Sequence, residues 1–119
     1  MKLPILYAIA YPNRIKTDYP RLNFLDYPNL TFEQPDKKTF RNLQLAYDAM
    51  AQGGNLACIL NAANEVAVDA FLKDKIGFLQ ISELIESCMN KVNYIANPSY
   101  EDFVNTDKET RINAQEQIK

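Results

Sequence analysis

The sequence predicts a mainly α protein, with four to five helices in a small bundle, a short apolar helix ahead of it, and an extended proline-rich segment carrying at most one short strand. Three observations point there. From Phe40 onward, apolar residues recur at the i, i+3, i+4, i+7 spacing of helices with one buried face. Pro12, Pro20, Pro28 and Pro35 crowd the segment 11–38, where a helix loses a backbone donor at each of them. Gly53-Gly54 and Asn97-Pro98 then divide the rest of the chain at positions that stop helices.

Taken in order, residues 3–10 (LPILYAIA) form a helix apolar nearly all round, with Pro4 tolerated in a first turn and Pro12 as a stop. Such a helix needs cover from another element. The segment 11–38 alternates prolines with Tyr19, Phe24, Tyr27 and Phe32, which predicts an extended connection with one short strand at Leu30 to Phe32. It is too apolar for a free linker. Phe40, Leu43, Ala46, Tyr47 and Met50 then recur on one face of the next helix, closed by Gly53-Gly54.

A second helix is expected over about Leu56 to Lys73, bent at its asparagines, with a buried stripe of Ile59, Ala62, Ala63, Val66, Ala70 and Phe71. Its small alanines let a neighbouring helix approach closely. Helix three has the clearest period, with Ile81, Leu84, Ile85, Cys88, Met89 and Val92 on one side. Ser99 with Asp102 reads as a capping box opening a short helix through Phe103 and Val104. Thr106 or Asp107 is expected to cap a final, mostly solvated helix running towards Lys119.

With 119 residues, 47% of them apolar, the chain has enough material for one core. No run approaches the ~20 apolar residues of a membrane span, and the N-terminus lacks a small-residue cleavage site, so no secretory signal is expected and the cytoplasm is the expected compartment. Basic residues are dispersed apart from Lys37, Lys38 and Arg41, which argues against nucleic acid as a partner. The chain has no His, so chemistry within it would fall to carboxylates, Lys or Tyr. Cys58 and Cys88 sit on predicted apolar helix faces and read as buried thiols, not as a disulfide or a metal pair.

No Gly-rich turn follows a strand, so there is no dinucleotide fingerprint and no cofactor-binding residue is assigned. The acidic pairs Glu33 and Asp36, Glu83 and Glu86, and Glu101 and Asp102 fall at caps or on polar helix faces, and no metal site is assigned to them. No catalytic residue is assigned either. The run Leu60-Asn61-Ala62-Ala63-Asn64-Glu65-Val66-Ala67-Val68 stands apart, because two asparagines interrupt an apolar helical pattern. Asn61, Asn64 and Glu65 have two readings: a structural polar network that fixes an inter-domain angle, or caps at a helix end and kink, with Glu65 on a first turn. Capping accounts for the spacing without a ligand and is preferred. Tyr47, Phe71 and Met89 read as core in preference to a ligand pocket.

That run resembles a signature of the 1-deoxy-D-xylulose 5-phosphate reductoisomerase family. MKLPILYAIAYPN (1–13) is similar to the helix after that family's Pro-Asp-Met-Arg-Thr-Pro stretch, LNFLDYPNLTFEQPD (22–36) to its linker, and LQLAYDAMAQ (43–52) to its next helix. Gly77 to Ile81 and Ser99 to Phe103 follow in the same order. The resemblance covers essentially all of this chain but only the C-terminal part of the family. It implies residues 1–12 as the terminal helix of the central catalytic domain, 13–38 as a linker and 39–119 as a C-terminal helical bundle.

The resemblance further implies an intact parent that is a homodimeric oxidoreductase and isomerase of non-mevalonate isoprenoid biosynthesis, using NADPH and Mg2+ or Mn2+. Its product would be 2-C-methyl-D-erythritol 4-phosphate, and its metal-binding acids would lie upstream of Met1. Met1 matches the family methionine that walls the substrate and nicotinamide pocket, although Lys2 and Leu3 stand where the family has Arg and Thr. This chain alone is expected to be an inactive structural region, with the remainder of the parent as its partner. The rival reading is a stand-alone helical interaction module without catalysis, which the lack of His and Gly-rich turns fits equally well.

Overall fold

The computed structural model describes residues 1–118, which fall into two compact units divided between Gln34 and Pro35. In the first unit, α1 (Lys2–Ala10) is followed by irregular chain and one 3-10 turn at Phe24–Asp26. The Asn23 side chain holds that turn by accepting from the Leu25 N–H at 3.1 Å. No residue of α1 is buried within this unit, as its all-round apolar sequence requires of a helix seen without its cover. Arg14 lies over the Tyr7 ring, Tyr7 meets Tyr11 edge to face, and Lys2 lies over Tyr19. The expected strand at Leu30 to Phe32 does not form: there is no strand among the described residues, so its backbone groups have no ladder to join.

The second unit is a four-helix bundle of α2 (Arg41–Gln52), α3 (Leu56–Leu72), α4 (Phe78–Lys91) and α5 (Tyr100–Gln117). Among the described residues the chain is thus all-helical, as its periodicity predicts. α3 is the central element, packed against α2, α4 and α5. Its position follows from its side chains: Leu56, Ile59, Ala62, Ala63, Ala67 and Ala70 are all buried, a set too wide for one neighbour. Small residues there bring the neighbouring axes close. α4 delivers Ile81, Leu84, Ile85 and Cys88 to the same core, and Val92 closes it just past the helix end.

Three details differ from expectation. On α2 the buried residues are Leu45 and Ala49, while the stripe of Phe40, Leu43, Tyr47 and Met50 lies exposed. α3 runs unbroken through Asn61 and Asn64, so neither residue caps a helix end and Glu65 is not on a first turn. α5 is one helix and not two, because Thr106 is a buried interior residue rather than a cap. Thr106, Thr110 and Ala114 form its inward stripe, which reads as polar in sequence although it is packed. The expected course towards Lys119 ends outside the described residues.

Local signals set the helix limits. Ser99 and Asp102 form both arms of a capping box at the start of α5, with the Ser99 N–H donating to Asp102 at 2.8 Å. Gln80 reaches back to the Gly77 N–H at the start of α4. Gly53 ends α2 at φ 72°, and Gly54 follows at φ 61°. At Gly54 an added Cβ would run into the Ile95 carbonyl and stand 2.7 Å from the Tyr94 ring. Gly54→Ala is therefore expected to cost about 2 kcal/mol, from backbone strain plus displacement of the 94–95 segment. Urea unfolding checks it, and a variant within about 0.5 kcal/mol of the parent would refute the close approach.

Candidate functional site

The Asn-Ala-Ala-Asn-Glu run lies in the middle of α3 and turns its polar residues outward, towards α5. Asn61 Nδ2 donates to Glu65 Oε1 at 3.1 Å, one turn on, and Arg111 of α5 donates from Nη2 to Glu65 Oε2 at 2.7 Å. Arg111 Nε donates in turn to Asp107 Oδ2 at 2.8 Å. One guanidinium thus holds a carboxylate of its own helix, Asp107, and reaches across to one on α3, Glu65, the fork geometry that Arg supplies and Lys does not. Among the described residues these bonds do not include Asn64, which is half-buried beside them. The hydrogen bonds from Arg111 first, and Asn61 second, hold the Glu65 carboxyl below its usual range.

Beside this cluster lies a groove of about 460 Å³ lined by Glu65, Asp69, Lys75, Arg111 and Gln115 over the apolar Val66. Its charges are largely answered already: Asp69 pairs with Lys73 at 2.7 Å, and Arg111 with Glu65 and Asp107. The arrangement joins helices; it presents no nucleophile with a base in hydrogen-bond reach.

A second polar center went unread in the sequence. Asn55, the residue before α3, is 0% exposed and bonds through every polar group of its side chain. Its Nδ2 donates to the Asn93 carbonyl and to Thr106 Oγ1, both at 3.0 Å, and its Oδ1 accepts from the Ile95 N–H at 2.9 Å. The Asn55 N–H also donates to the Ile95 carbonyl at 3.1 Å. One amide therefore fastens the α2–α3 junction, the α4–α5 connection and α5 together. The available signal was an Asn directly after Gly-Gly and directly before an apolar helix.

Of each acidic pair singled out in the sequence, one member is engaged in a structural contact. Asp36 accepts from the Thr39 and Lys38 N–H groups in the turn before α2. Glu86 pairs with Arg41 across α2 and α4, and Asp102 serves the α5 cap. No group of three or more His, Cys, Asp or Glu among the described residues is placed to hold a metal ion. The sequence has no Gly-rich turn of the kind that holds a dinucleotide phosphate. Cys88 is buried, with the Gln117 amide on its sulfur, whereas Cys58 is half-buried against the Phe103 carbonyl; both are free thiols, and burial pushes both up. Tyr47 lies on the outer side of α2 and not in the core expected for it.

The depressed carboxylates set an acid limit. Glu65, Glu86, Asp36 and Asp102 are all held below their usual values by hydrogen bonds, the first two from arginines. A lowered folded pKa contributes stability that is complete above the unfolded value near 4 and is lost as pH falls through the folded value. The melting temperature is expected to be level between about pH 5 and 7 and to fall below about pH 4, with a small amplitude that shrinks in salt because the groups are exposed. Thermal melts across pH check this; a rise in stability on acidification would refute it.

The family model of the DXP reductoisomerase C-terminal domain matches residues 1–113. The chain belongs to this family. A 1-deoxy-D-xylulose 5-phosphate reductoisomerase of Phocaeicola vulgatus is 60% identical over 111 residues, covering 93% of this chain and 29% of the relative. That of Bacteroides fragilis is 55% identical over 118 residues, covering 99% and 30% respectively. Among solved structures, the Zymomonas mobilis reductoisomerase in complex with NADPH superposes with a TM-score of 0.78 at 38% identity, over 99% of this chain and 31% of that one. A DOX-P reductoisomerase in complex with NADPH, fosmidomycin and magnesium reaches 0.81 at 32% identity, covering 98% and 31%. The chain thus spans about three tenths of the length of the DXP reductoisomerases it matches. No helix of the described residues is long and apolar enough to cross a membrane.

Proposed function

We propose that this chain is the C-terminal structural region of an NADPH-dependent reductoisomerase that converts 1-deoxy-D-xylulose 5-phosphate to 2-C-methyl-D-erythritol 4-phosphate in isoprenoid biosynthesis. The observation that carries the reading is the family match over residues 1–113, with 55% identity over 118 residues to a relative of that name. The intact protein acts as a cytoplasmic homodimer and uses NADPH with Mg2+ or Mn2+, held by residues outside this chain. Residues 1–12 end its catalytic domain, 13–38 form a linker, and 39–119 form the bundle. Met1 stands beside the substrate and nicotinamide pocket in the parent. Asn61 and Glu65, with Arg111, form the structural polar network that braces α3 against α5 so that the bundle is a stiff buttress, with Asn64 half-buried on the same helix outside those bonds.

This role asks nothing catalytic of the chain itself. The intact polypeptide is expected to oxidise NADPH when given 1-deoxy-D-xylulose 5-phosphate and Mg2+, whereas the 119-residue chain shows no turnover. Titration of the chain with NADPH, followed by nucleotide fluorescence, is expected to give no saturable signal. Saturable binding by the pure chain would overturn the assignment of cofactor binding to other parts of the protein. The mass of the native polypeptide that carries LNAANEVAV separates this reading from a free-standing interaction module: a species several times heavier than 13.6 kDa is expected.

A further inference from the structure

α5 is joined to the bundle by a seam poor in apolar surface. α4 sets Ile81, Leu84, Ile85 and Cys88 into the core, whereas the buried residues of α5 are Thr106, Thr110 and Ala114. Two threonines and an alanine remove far less apolar surface from water than two isoleucines and a leucine. The larger apolar groups of α5 lie open, at Tyr100, Phe103 and Ile112, with Val104 and Ile118 half-covered. Polar bonds take up the attachment. Asn55 holds Thr106 towards one end, Arg111 reaches Glu65 in the middle, and Ser87 Oγ donates to Gln117 Oε1 at 2.7 Å at the other end. Each of these groups regains water when the helix leaves, and the solvent-facing Arg111 pair stabilises little. Among the described residues no backbone hydrogen bond ties α5 to another element, and its Ser99–Asp102 capping box is its own. A helix of 18 residues parted from its neighbours is marginal in water, so its turns melt together.

We infer that α5 is a strap that opens as one unit while α2, α3 and α4 stay packed, and that its opening uncovers the Cys88 thiol. The three helices left behind keep a core of their own in Leu45, Leu56, Ile59, Ile81, Leu84 and Ile85. Among the described residues α2 makes no contact with α5, so the α2 seam is untouched when the strap lifts. Cys88 is fully buried on α4, and Gln117 Nε2 donates to its sulfur at 3.7 Å from the last turn of α5. Lifting α5 takes that amide away and opens the sulfur to solvent. The bundle therefore has a locally unstable element of defined extent, with a thiol beneath it that reports its state.

Native-state hydrogen exchange, read by mass spectrometry on the intact polypeptide that carries this chain, tests the inference. Amides of Val104 to Ala114 are expected to exchange together, about 30-fold or more faster than those of Ile81 to Cys88 after correction for intrinsic rates, and with a shallower dependence on urea. Leu45→Val sharpens the test, because it loosens the α2 seam and leaves every α5 contact in place. It is expected to speed α4 exchange roughly fivefold and to leave α5 exchange unchanged, since the open-strap state keeps α2 docked and is destabilised equally. Alkylation of Cys88 by N-ethylmaleimide is expected to give the same opening constant as the α5 amides, within about threefold. A rise of α5 and α4 exchange together in Leu45→Val, or one urea slope for both, would overturn the inference by making the bundle a single cooperative unit. Cys88 labelling that follows the α4 amides overturns its second half, because the thiol would then be covered by α3 and α4 alone.

Discussion

Asn55→Ala is expected to lower the melting temperature of the chain by roughly 15 °C or more, the largest effect of any polar substitution in it. Asn55 is fully buried, and its side chain makes three hydrogen bonds, two to the α4–α5 connection and one to α5. Truncation leaves the Ile95 N–H without its acceptor, and the Asn93 carbonyl and the Thr106 hydroxyl without their donor. A buried unsatisfied group costs about 1–3 kcal/mol, and the loss is shared within one network, so about 3 kcal/mol is the expected sum. Asn55→Asp sharpens the test: it keeps the acceptor for Ile95 but turns a carboxylate oxygen onto the Asn93 carbonyl, and it is expected to be at least as damaging. Circular-dichroism melts measure both. A shift under about 3 °C for the alanine variant would mean that the junction is held by other groups.

Ala67→Leu is the second large effect, expected to cost about 3 kcal/mol through overpacking. Ala67 is fully buried on α3, which packs against all three other helices of the bundle, so an added isobutyl group has no free side to turn to. Ala57→Leu, on the exposed side of the same helix, is the control and is expected to be neutral within about 0.5 kcal/mol. Urea unfolding separates them. The comparison also decides what the alanines of the Leu60–Val68 run are for. If they serve packing, Ala67→Leu unfolds the bundle; if they serve a ligand, it would spare stability and change binding instead.

Much of the bundle was legible because its helices follow a 3.6-residue period between clear stops. α4 is the plainest case: Ile81, Leu84, Ile85 and Cys88 were read as one face and are buried as one face. α2 shows where periodicity fails. It identifies an apolar stripe, but a helix with two stripes gives no sign of which one meets its own bundle, and the more aromatic stripe proved to be the outer one. α5 fails for the opposite reason, since Thr106 and Thr110 look like surface or cap residues. They are buried because Asn55 satisfies one hydroxyl and the other donates to the carbonyl four residues back at 2.7 Å. Asn61 and Asn64 looked like caps for the same compositional reason, yet their helix continues because Leu60, Ala63 and Ala67 keep packing on either side of them. Long-range partners such as Arg111 for Glu65, 46 positions away, leave no mark in local sequence.

The central place of α3 has a consequence for how the chain is made on the ribosome. Every residue that shields its far side is translated later, up to Thr110 and Ala114 on α5. Until those residues have emerged, the nascent chain carries a 17-residue helix with apolar sides that only α2 and α4 can cover. A synthesis that stalls within α5 would therefore release a sticky half-bundle, the kind of partly covered species that chaperones and proteases recognise. The bundle is made by its closing helix, and the cell meets it either whole or as a substrate for disposal.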